Sequence, residues 1–277
     1  MKNIIELKNI NFSYADKTEA LKNININIEE GKTTVILGEN GAGKSTLFTI
    51  LNGISKPSSG EYIFNGNKVN YSKKELYNIR KNIGIVFQEP DNQIFSSSVY
   101  DEIAFGVRNL GYNENEVKEF VNKSAVETGV TEFFDKPVHF LSYGQKKRVS
   151  IASILSMNPS VIIFDEPSAC LDNKQTERLY NIYENLNKKG ITLIISTHDM
   201  DFAYKISENA IVLHEGTVIF NGKTEDLFKN VEIVQKAGLK VPAIHILYNK
   251  LVEKSIIKNA DYTPKSIDSL ISILNSL

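Results

Sequence analysis

Short apolar runs and longer segments with helical spacing alternate along the chain. The apolar runs lie at 34–37, 83–87, 161–164 and 191–197. The segments with apolar residues three and four positions apart lie at 47–51, 113–129 and 173–190. Uninterrupted apolar runs predict buried strands, because strands of a parallel sheet are covered on both faces. The alternation of such strands with helices predicts an α/β fold.

The first 30 residues have a different, nearly alternating pattern. Apolar side chains from Ile5 to Tyr14 occupy near-alternate positions, with one slip at Lys8-Asn9, which predicts a half-buried strand with a bulge or turn. A second run of this kind, at 21–28, predicts a small antiparallel sheet ahead of the glycine-rich segment described below. Asn65-Gly66 and Glu215-Gly216 predict two further hairpins.

Residues 100–157 lack strand alternation and predict helices, with Gly129 as a helix stop. From residue 231 onward the pattern changes again. Pro242 predicts the start of one helix, and Thr263-Pro264 predicts an N-cap with proline at the first position of another. Two amphipathic helices without a strand predict a small appendage that docks or dimerises.

A glycine-rich segment lies between the run at 34–37 and the first helical segment. Strand, glycine-rich turn and helix together form the context of a phosphate-binding loop, in which backbone N–H groups and the helix N-terminus face phosphate oxygens. Lys44 is expected to reach the β- and γ-phosphates, and the Ser45 hydroxyl to ligate Mg²⁺. A purely structural turn is the alternative, but the context favours a nucleoside triphosphate. The residues predicted to bind it are Gly38, Glu39, Asn40, Gly41, Ala42, Gly43, Lys44, Ser45 and Thr46.

Polar side chains follow three of the predicted strands. Asp165 and Glu166 come directly after the run at 161–164, and ligands of open α/β sheets lie at the carboxyl ends of the strands. Asp165 is therefore predicted to hold Mg²⁺, directly or through water, and Glu166 to act as a general base for water. Gln88 is predicted to touch the metal or the attacking water, and His198 the γ-phosphate. Ordinary surface or structural roles are the alternatives for all four.

Two further positions have both a structural and a functional interpretation. Tyr14 is an ordinary strand aromatic or a platform on which the nucleotide base stacks. Ser142 with Gln145 three residues later predicts a capping box at the start of a helix. The same helix end, with Ser142 and the Gly144 N–H exposed, is also a candidate anion site.

Composition restricts the function classes. The 277-residue chain has a net charge of −1, which argues against a nucleic-acid binder that works by broad phosphate neutralisation. Its one cysteine, Cys170, permits no internal disulfide and fits a reducing compartment. No signal peptide is apparent, and the apolar runs are far shorter than the roughly 20 residues of a membrane-spanning helix. Any role at a membrane is expected to depend on a partner.

Together these segments resemble the motifs of the ATP-binding-cassette (ABC) ATPases, and they occur in the family order. They are Gly38–Ser45 for Walker A, Gln88 for the Q-loop, Leu141–Gln145 for the LSGGQ signature, Val161–Glu166 for Walker B, Ser168–Asp172 for the D-loop and His198 for the switch histidine. Tyr143 departs from the family, which usually has glycine there. Because Ser142 and Gly144 are kept, the phosphate contact is expected to survive.

The resemblance implies a P-loop NTPase cassette at residues 1–230. Its expected parts are a RecA-like parallel sheet core, an N-terminal antiparallel β subdomain and a helical subdomain inserted at about 89–157. Residues 231–277 are expected to form the helical C-terminal appendage. The resemblance also assigns roles, with Glu166, His198 and Gln88 as catalytic residues, and Ser45, Gln88 and Asp165 around Mg²⁺.

Three stretches resemble the ATPases of energy-coupling-factor importers, which take up cobalt, nickel or vitamins. These are 88–95, 101–106 and the tail from Val241-Pro242. The resemblance implies an ATPase bound peripherally at the cytoplasmic face of the cell membrane, with a transmembrane coupling subunit and a substrate-binding membrane subunit. It also implies a homodimer, or a heterodimer with a paralogous ATPase, in which Ser142, Gly144 and Gln145 of one chain close over the ATP of the other.

Other classes fit the sequence less well. Chromosome-maintenance ATPases place long coiled coils between Walker A and the signature, and the segment from Lys44 to Ser142 is too short for one. Translation factors of the cassette family usually carry two cassettes, whereas this chain has one phosphate loop. A non-enzymatic scaffold would be expected to lack Glu166 or His198. The remaining alternative is an ATPase subunit of a different ABC transporter or a non-transport ABC ATPase.

Overall fold

The computed structural model describes residues 2–257 and 263–276. Its strands are β1 (Asn3–Ser13), β2 (Glu19–Glu29), β3 (Thr33–Leu37), β4 (Ser59–Phe64), β5 (Asn67–Lys68), β6 (Ile83–Val86), β7 (Val161–Phe164), β8 (Thr192–Ser196), β9 (Asn209–His214) and β10 (Thr217–Lys223). Its α-helices are α1 (Lys44–Leu51), α2 (Lys73–Asn82), α3 (Val99–Asn109), α4 (Glu114–Thr128), α5 (Tyr143–Leu155), α6 (Asn173–Lys188), α7 (Met200–Ile206), α8 (Thr224–Lys229), α9 (Val231–Lys236), α10 (Ala243–Glu253) and α11 (Ile267–Leu274).

The central sheet has six strands in the order β10-β9-β3-β8-β7-β6, all parallel except the edge strand β10. Both of its faces are buried. In β3, Val35 and Leu37 belong to one apolar cluster and Ile36 to the opposite one, because successive side chains of a strand alternate between faces. This double burial is the reason why the core strands are uninterrupted apolar runs.

The N-terminal sheet is antiparallel, in the order β2-β1-β4-β5. The pairing of β1 with β2 shifts register between Leu7 and Ile10, and Asn9 between them has a positive φ of 53°. The predicted slip at Lys8-Asn9 is therefore a real irregularity of the strand. The hairpins predicted at Asn65-Gly66 and at Glu215-Gly216 are also confirmed, joining β4 to β5 and β9 to β10.

Helices α3, α4 and α5 share an apolar cluster of their own, separate from the two clusters of the central sheet. Helix α4 ends at Gly129, which has the left-handed conformation typical of a C-cap. Helix α5 starts at Ser142 with the predicted capping box, since the Ser142 side chain accepts from Gln145 N and the Gln145 side chain accepts from Ser142 N. This helical region lies between β6 and β7 in the chain, as the resemblance implied.

The C-terminal segment differs from the prediction in two respects. The described residues after 230 contain three helices rather than the predicted two, since α9 (Val231–Lys236) was not predicted. The last helix begins at Ile267, not at Pro264, because the Ser266 side chain caps it by accepting from Ser269 N at 3.2 Å. These helices pack on one apolar cluster of the central sheet through Val234, Ile244, Tyr248 and Leu270. The boundary at 230/231 stays a prediction.

Candidate nucleotide-binding site

The segment Gly38–Gly43 joins β3 to α1 and has the strained backbone expected of a phosphate loop. Gly38, Gly41 and Gly43 all have positive φ angles. A Cβ at Gly38 would overlap the Leu213 carbonyl oxygen, and one at Gly43 would come within 2.8 Å of the Ala20 carbonyl oxygen. Both positions therefore require glycine. Gly43 caps α1 without a side-chain hydrogen bond, which leaves the first N–H groups of the helix available to an anion.

Lys44, the first residue of α1, folds its side chain back over the loop. It is 7% exposed, and its Nζ donates to the carbonyl oxygens of Gly38 at 2.7 Å and Glu39 at 3.0 Å. Burial lowers the pKa of Lys44, whereas Glu166 and Asp165 act in the opposite direction. The ammonium group is thus fixed at the loop by backbone carbonyls, at a position from which it can neutralise phosphate oxygens.

Asp165 follows β7 and is oriented by two hydroxyl groups. The Ser45 hydroxyl donates to Asp165 Oδ2 at 3.0 Å, and the Ser196 hydroxyl donates to Asp165 Oδ1 at 2.7 Å. Ser196 Oγ also accepts from the Glu166 N–H at 2.9 Å, so one serine of β8 positions both acids. Ser196 was not predicted; a serine at the end of an apolar strand beside two acids is its only signal in the sequence.

Glu166, directly after Asp165, combines an unusual backbone angle with a close polar contact to His198. Its φ is +44°, an uncommon backbone conformation for a non-glycine residue, which often marks functional sites. His198 Nε2 lies 3.0 Å from Glu166 Oε1 and 3.0 Å from Asn40 Oδ1, so one ring nitrogen is within hydrogen-bond distance of both oxygens. Among the described residues, Glu166 Oε1 is buried with no polar neighbour at hydrogen-bond distance other than this nitrogen.

These side chains line a common cavity of about 310 Å³, which lies at the lower end of the range of small-molecule sites. Its walls include Lys44, Ser45, Gln88, Asp165 and Glu166. An adjoining cavity shares Gln88 and Glu166 with it and also contains His198. The structure therefore brings together the ends of β3, β6, β7 and β8, as the parallel sheet predicts.

Tyr14 lines the same cavity beside the phosphate loop. Its hydroxyl shares a hydrogen bond of 2.6 Å with Thr46 Oγ1, and its ring packs edge-to-face on Phe12 with centroids 5.1 Å apart. The ring is fixed from both sides yet 50% exposed. Stacking of Tyr14 on a base stays a prediction.

Comparisons with known proteins decide the family. The ABC transporter family profile matches residues 21–169. An energy-coupling factor transporter ATP-binding protein, EcfA3 of Clostridium perfringens, is 45% identical over 252 residues, which cover 91% of this chain and 88% of that protein. The chain belongs to the ABC transporter family. The more specific resemblance to energy-coupling-factor ATPases is confirmed as well.

Solved structures agree with the fold of this ABC protein. The protein cbiO1 of Clostridium perfringens, described as part of the ABC transporter complex cbiONQ, is 44% identical with a TM-score of 0.77, over 90% of this chain and all of that one. A dimeric cassette, MJ0796, described in a post-hydrolysis state with ADP and Pi, is 31% identical with a TM-score of 0.72, over 79% of this chain and 98% of its own. This chain is thus a nucleotide-binding ATPase with the predicted cassette fold.

The signature residues of this ABC ATPase lie apart from the nucleotide cavity of the same chain. Ser142, Gly144 and Gln145 are absent from the lining of both adjoining cavities. Ser142 is exposed at the capped start of α5, where it is accessible to another molecule, whereas Gly144, which was predicted to be exposed, is buried against the Gln175 side chain. A role of these residues at the nucleotide of another chain stays a prediction.

Candidate Mg²⁺ ligands in this ABC ATPase form a small set of oxygen donors. Ser45 Oγ and both Asp165 oxygens fit a cation that binds through one or two protein oxygens, phosphate oxygens and water. The described residues contain no cluster of three or more His, Cys, Asp or Glu side chains that would hold a metal by themselves. Within residues 2–257 and 263–276, no helix combines the length and apolarity that crossing a lipid bilayer demands.

Proposed function

We propose that this ABC ATPase is the ATP-hydrolysing subunit that powers an energy-coupling-factor importer for cobalt, another transition-metal ion or a vitamin. The observation that supports this most strongly is the identity of 45% and 44% with two Clostridium perfringens proteins, one named as an energy-coupling-factor ATPase and one described as part of the complex cbiONQ. A different ABC transporter or a non-transport ABC ATPase is the alternative.

In this proposal the phosphate loop and Lys44 bind the β- and γ-phosphates, while Tyr14 stacks on the base. Ser45 and Asp165, with Gln88, hold Mg²⁺, which when bound neutralises negative charge on the phosphate oxygens. Glu166 Oε1 accepts the proton of the attacking water, and the position of Glu166 in the cavity wall with Lys44 and Asp165 supports that role. His198, whose Nε2 donates to Asn40 in this structure, turns to the γ-phosphate when nucleotide is bound.

A second copy, or a paralogous ATPase, completes each site. Ser142 and the N–H groups at the start of α5 contact the γ-phosphate bound by the other chain. Two observations support this dimer: the signature residues do not line the cavity of their own chain, and the related MJ0796 cassette is described as a dimer with hydrolysis products.

The membrane partner docks on a groove formed by α2, α3 and α5. This groove has a volume of about 580 Å³ and is mostly apolar, with Arg80 and Lys81 among its lining residues. Phe95 and Phe105, which are 65% and 46% exposed, pack edge-to-face inside it with centroids 4.6 Å apart. Exposed aromatic pairs are energetically costly in water and are typical of protein interfaces. The transmembrane coupling subunit, which also carries the substrate-binding subunit, is the proposed occupant, and it holds the ATPase peripherally at the cytoplasmic face.

Reconstitution tests the proposal. The ATPase is copurified with its membrane subunits and placed in liposomes that enclose ATP and Mg²⁺, and uptake of radioactive Co²⁺, Ni²⁺ or vitamins from the outer medium is measured for the molecules whose ATPase faces the lumen. We expect ATP-dependent uptake of one cargo, abolished by Lys44→Ala.

Phe95→Asp tests the docking groove. This substitution should prevent copurification of the membrane subunits while leaving ATP binding intact, and Tyr112→Phe in the same helical region serves as a control. A complex that hydrolyses ATP but transports none of these cargoes would favour another ABC transporter, and failure of the membrane subunits to copurify with the wild-type chain would favour the non-transport alternative.

A further inference from the structure

The backbone carbonyl of Gln88 is held by two side chains of α5. The Tyr143 hydroxyl donates to Gln88 O at 3.1 Å, and Lys147 Nζ donates to the same oxygen at 2.7 Å. Lys147 Nζ also donates to the carbonyl oxygen of Phe87 at 2.8 Å. Tyr143 and Lys147 are four residues apart and therefore lie on the same face of α5. The chain leaving β6 is thus fixed to the first turn of the signature helix.

Gln93 makes a second connection between the same segments. Its Oε1 accepts from the Phe87 N–H at 3.1 Å, and its Nε2 donates to the Ser150 carbonyl oxygen of α5 at 3.1 Å. Near the C-terminal end of α5, Ile154 packs against Gly84 of β6, and a Cβ at Gly84 would overlap the Ile154 side chain. Helix α5 and the segment from β6 to Gln93 therefore form one unit connected by hydrogen bonds and direct packing.

Burying the ammonium group of Lys147 costs free energy, because the charge is removed from water. The residue is 0% exposed, and within the described part of the chain no carboxylate lies at ion-pair distance from its ammonium group. Burial lowers the pKa of Lys147 to about 8. An apolar side chain would avoid the cost of burying a cation, so the two carbonyl contacts are what the lysine provides.

The two ends of this unit belong to different nucleotide sites in the proposed dimer. In the proposed dimer the exposed Ser142 at the start of α5 faces the nucleotide of the second chain, whereas Gln88 lines the cavity with Asp165 and Glu166 of its own chain. A shift of α5 toward the second nucleotide would carry the Gln88 carbonyl with it. Glycine at position 143, as in the usual signature, has no hydroxyl with which to make this contact.

We propose that Tyr143 and Lys147 are positioning residues that hold Gln88 from the signature helix and so couple closure over one nucleotide to hydrolysis at the other. The inference rests on the proposed function only in assuming a dimer with composite sites. Tyr143, which stands where the family signature usually has glycine, would then have a role in hydrolysis. The residues act through Gln88 and do not touch nucleotide.

Steady-state kinetics of the assembled complex test this inference. Tyr143→Phe removes the hydroxyl and keeps the ring. We expect kcat to fall about fivefold to tenfold, the effect of one lost hydrogen bond, with the KM for ATP changed less than about twofold and the Hill coefficient lowered toward one. Tyr112→Phe, a tyrosine whose ring packs on Phe120, is the matched control and should leave all three unchanged.

The deciding measurement repeats Tyr143→Phe in a Q88A background. If the hydroxyl acts through Gln88, the substitution has no further effect on kcat there, because the side chain it positions is gone. An equal loss of kcat in both backgrounds, or no loss in the wild-type background, would overturn the inference. Lys147→Met should produce a larger loss, and thermal unfolding of each variant reports whether the fold is kept. The comparison of Tyr143→Phe in the two backgrounds is measured by ATP turnover. A failure of cargo uptake would therefore contradict the proposed function and not this inference.

Discussion

Ser45 and Asp165 are 120 residues apart in the chain, yet the Ser45 hydroxyl donates to Asp165 Oδ2 at 3.0 Å. The contact joins the first turn of α1 to the end of β7, across the intervening β8 of the sheet. It places a hydroxyl and a carboxylate oxygen at the distance at which one cation can bind both. This arrangement of the two oxygens supports the proposed Mg²⁺ site.

Asp165→Asn should weaken Mg²⁺ binding at this site. The amide keeps one oxygen and the approximate shape but loses the charge, so we expect the Mg²⁺ concentration for half-maximal ATPase activity to rise at least tenfold. Titration of ATPase activity with MgCl₂ at a fixed ATP concentration measures this half-maximal Mg²⁺ concentration. Asp135→Asn, at an exposed turn position, is the control and should not shift the titration. An unchanged Mg²⁺ requirement in Asp165→Asn would remove this residue from the metal site.

Glu166→Gln should bind ATP but fail to hydrolyse it. The amide cannot accept the proton of water, so ATP remains bound and the two chains stay closed over it. Size-exclusion chromatography with ATP and Mg²⁺ should show a dimer for Glu166→Gln that dissociates when nucleotide is removed. Elution as a monomer under both conditions would contradict the composite site.

Ser142→Ala should lower turnover with little change in ATP binding by the isolated chain. The hydroxyl is proposed to act on the γ-phosphate of the other chain as charge develops, and loss of one such donor costs about 3 kcal/mol, or about a hundredfold in kcat. Because Ser142 also caps α5, Ser142→Asp is a useful second variant: it keeps a capping oxygen but brings a negative charge toward phosphate. Equal activity of wild type and Ser142→Ala would dismiss the contact.

The stability of the fold should fall in mild acid because of His245. This side chain is buried, and its Nδ1 lies 3.4 Å from the Tyr204 hydroxyl. Burial is the main cause that lowers the pKa of His245 below the ordinary 6.5, and the positive charge of nearby Lys229 adds to it, whereas Glu225 acts in the opposite direction. The folded chain then binds this proton more weakly than the unfolded chain. Its contribution to stability is complete above pH 6.5 and is lost as the pH falls through the lowered value.

Urea unfolding at several pH values between about 5 and 8 tests this expectation. His245→Gln should flatten the dependence of unfolding free energy on pH over that window. His139→Gln, which changes an exposed histidine, should leave the dependence as in wild type. A wild-type stability that is constant over this range would show that His245 does not contribute in this way.

Much of the site could be predicted because its motifs are local. Gly38–Ser45, Asp165-Glu166 and His198 each follow an apolar run, and the carboxyl ends of parallel strands meet at one edge of a sheet. The start of the last helix was predicted wrongly at Thr263-Pro264, although both that pair and Ser266 carry helix-start signals. The side chain of Ser266 forms the capping box with Ser269, and no local rule ranks the two.

The contacts that orient the site could not be predicted. Lys147 has a signal, since it shares a helix face with the apolar Ile151 and Ile154, but that pattern does not reveal which group the lysine meets. Its partner, the Gln88 carbonyl, lies 59 residues away. The same holds for Ser196, whose position between Asp165 and Glu166 depends on the order of β7 and β8 in the sheet.

The sequence by itself determined the strands, the phosphate loop, the acids after β7 and the family, because periodicity, turn chemistry and short motifs act within a few residues of the chain. Only the tertiary structure decided which oxygen faces which donor: Ser45 faces Asp165, His198 faces Asn40 and Glu166, and Tyr143 and Lys147 face Gln88. Hydrogen bonds require a fit of a few tenths of an ångström. That fit is set by how sheets and helices pack, and packing sums many distant contacts that no local pattern contains.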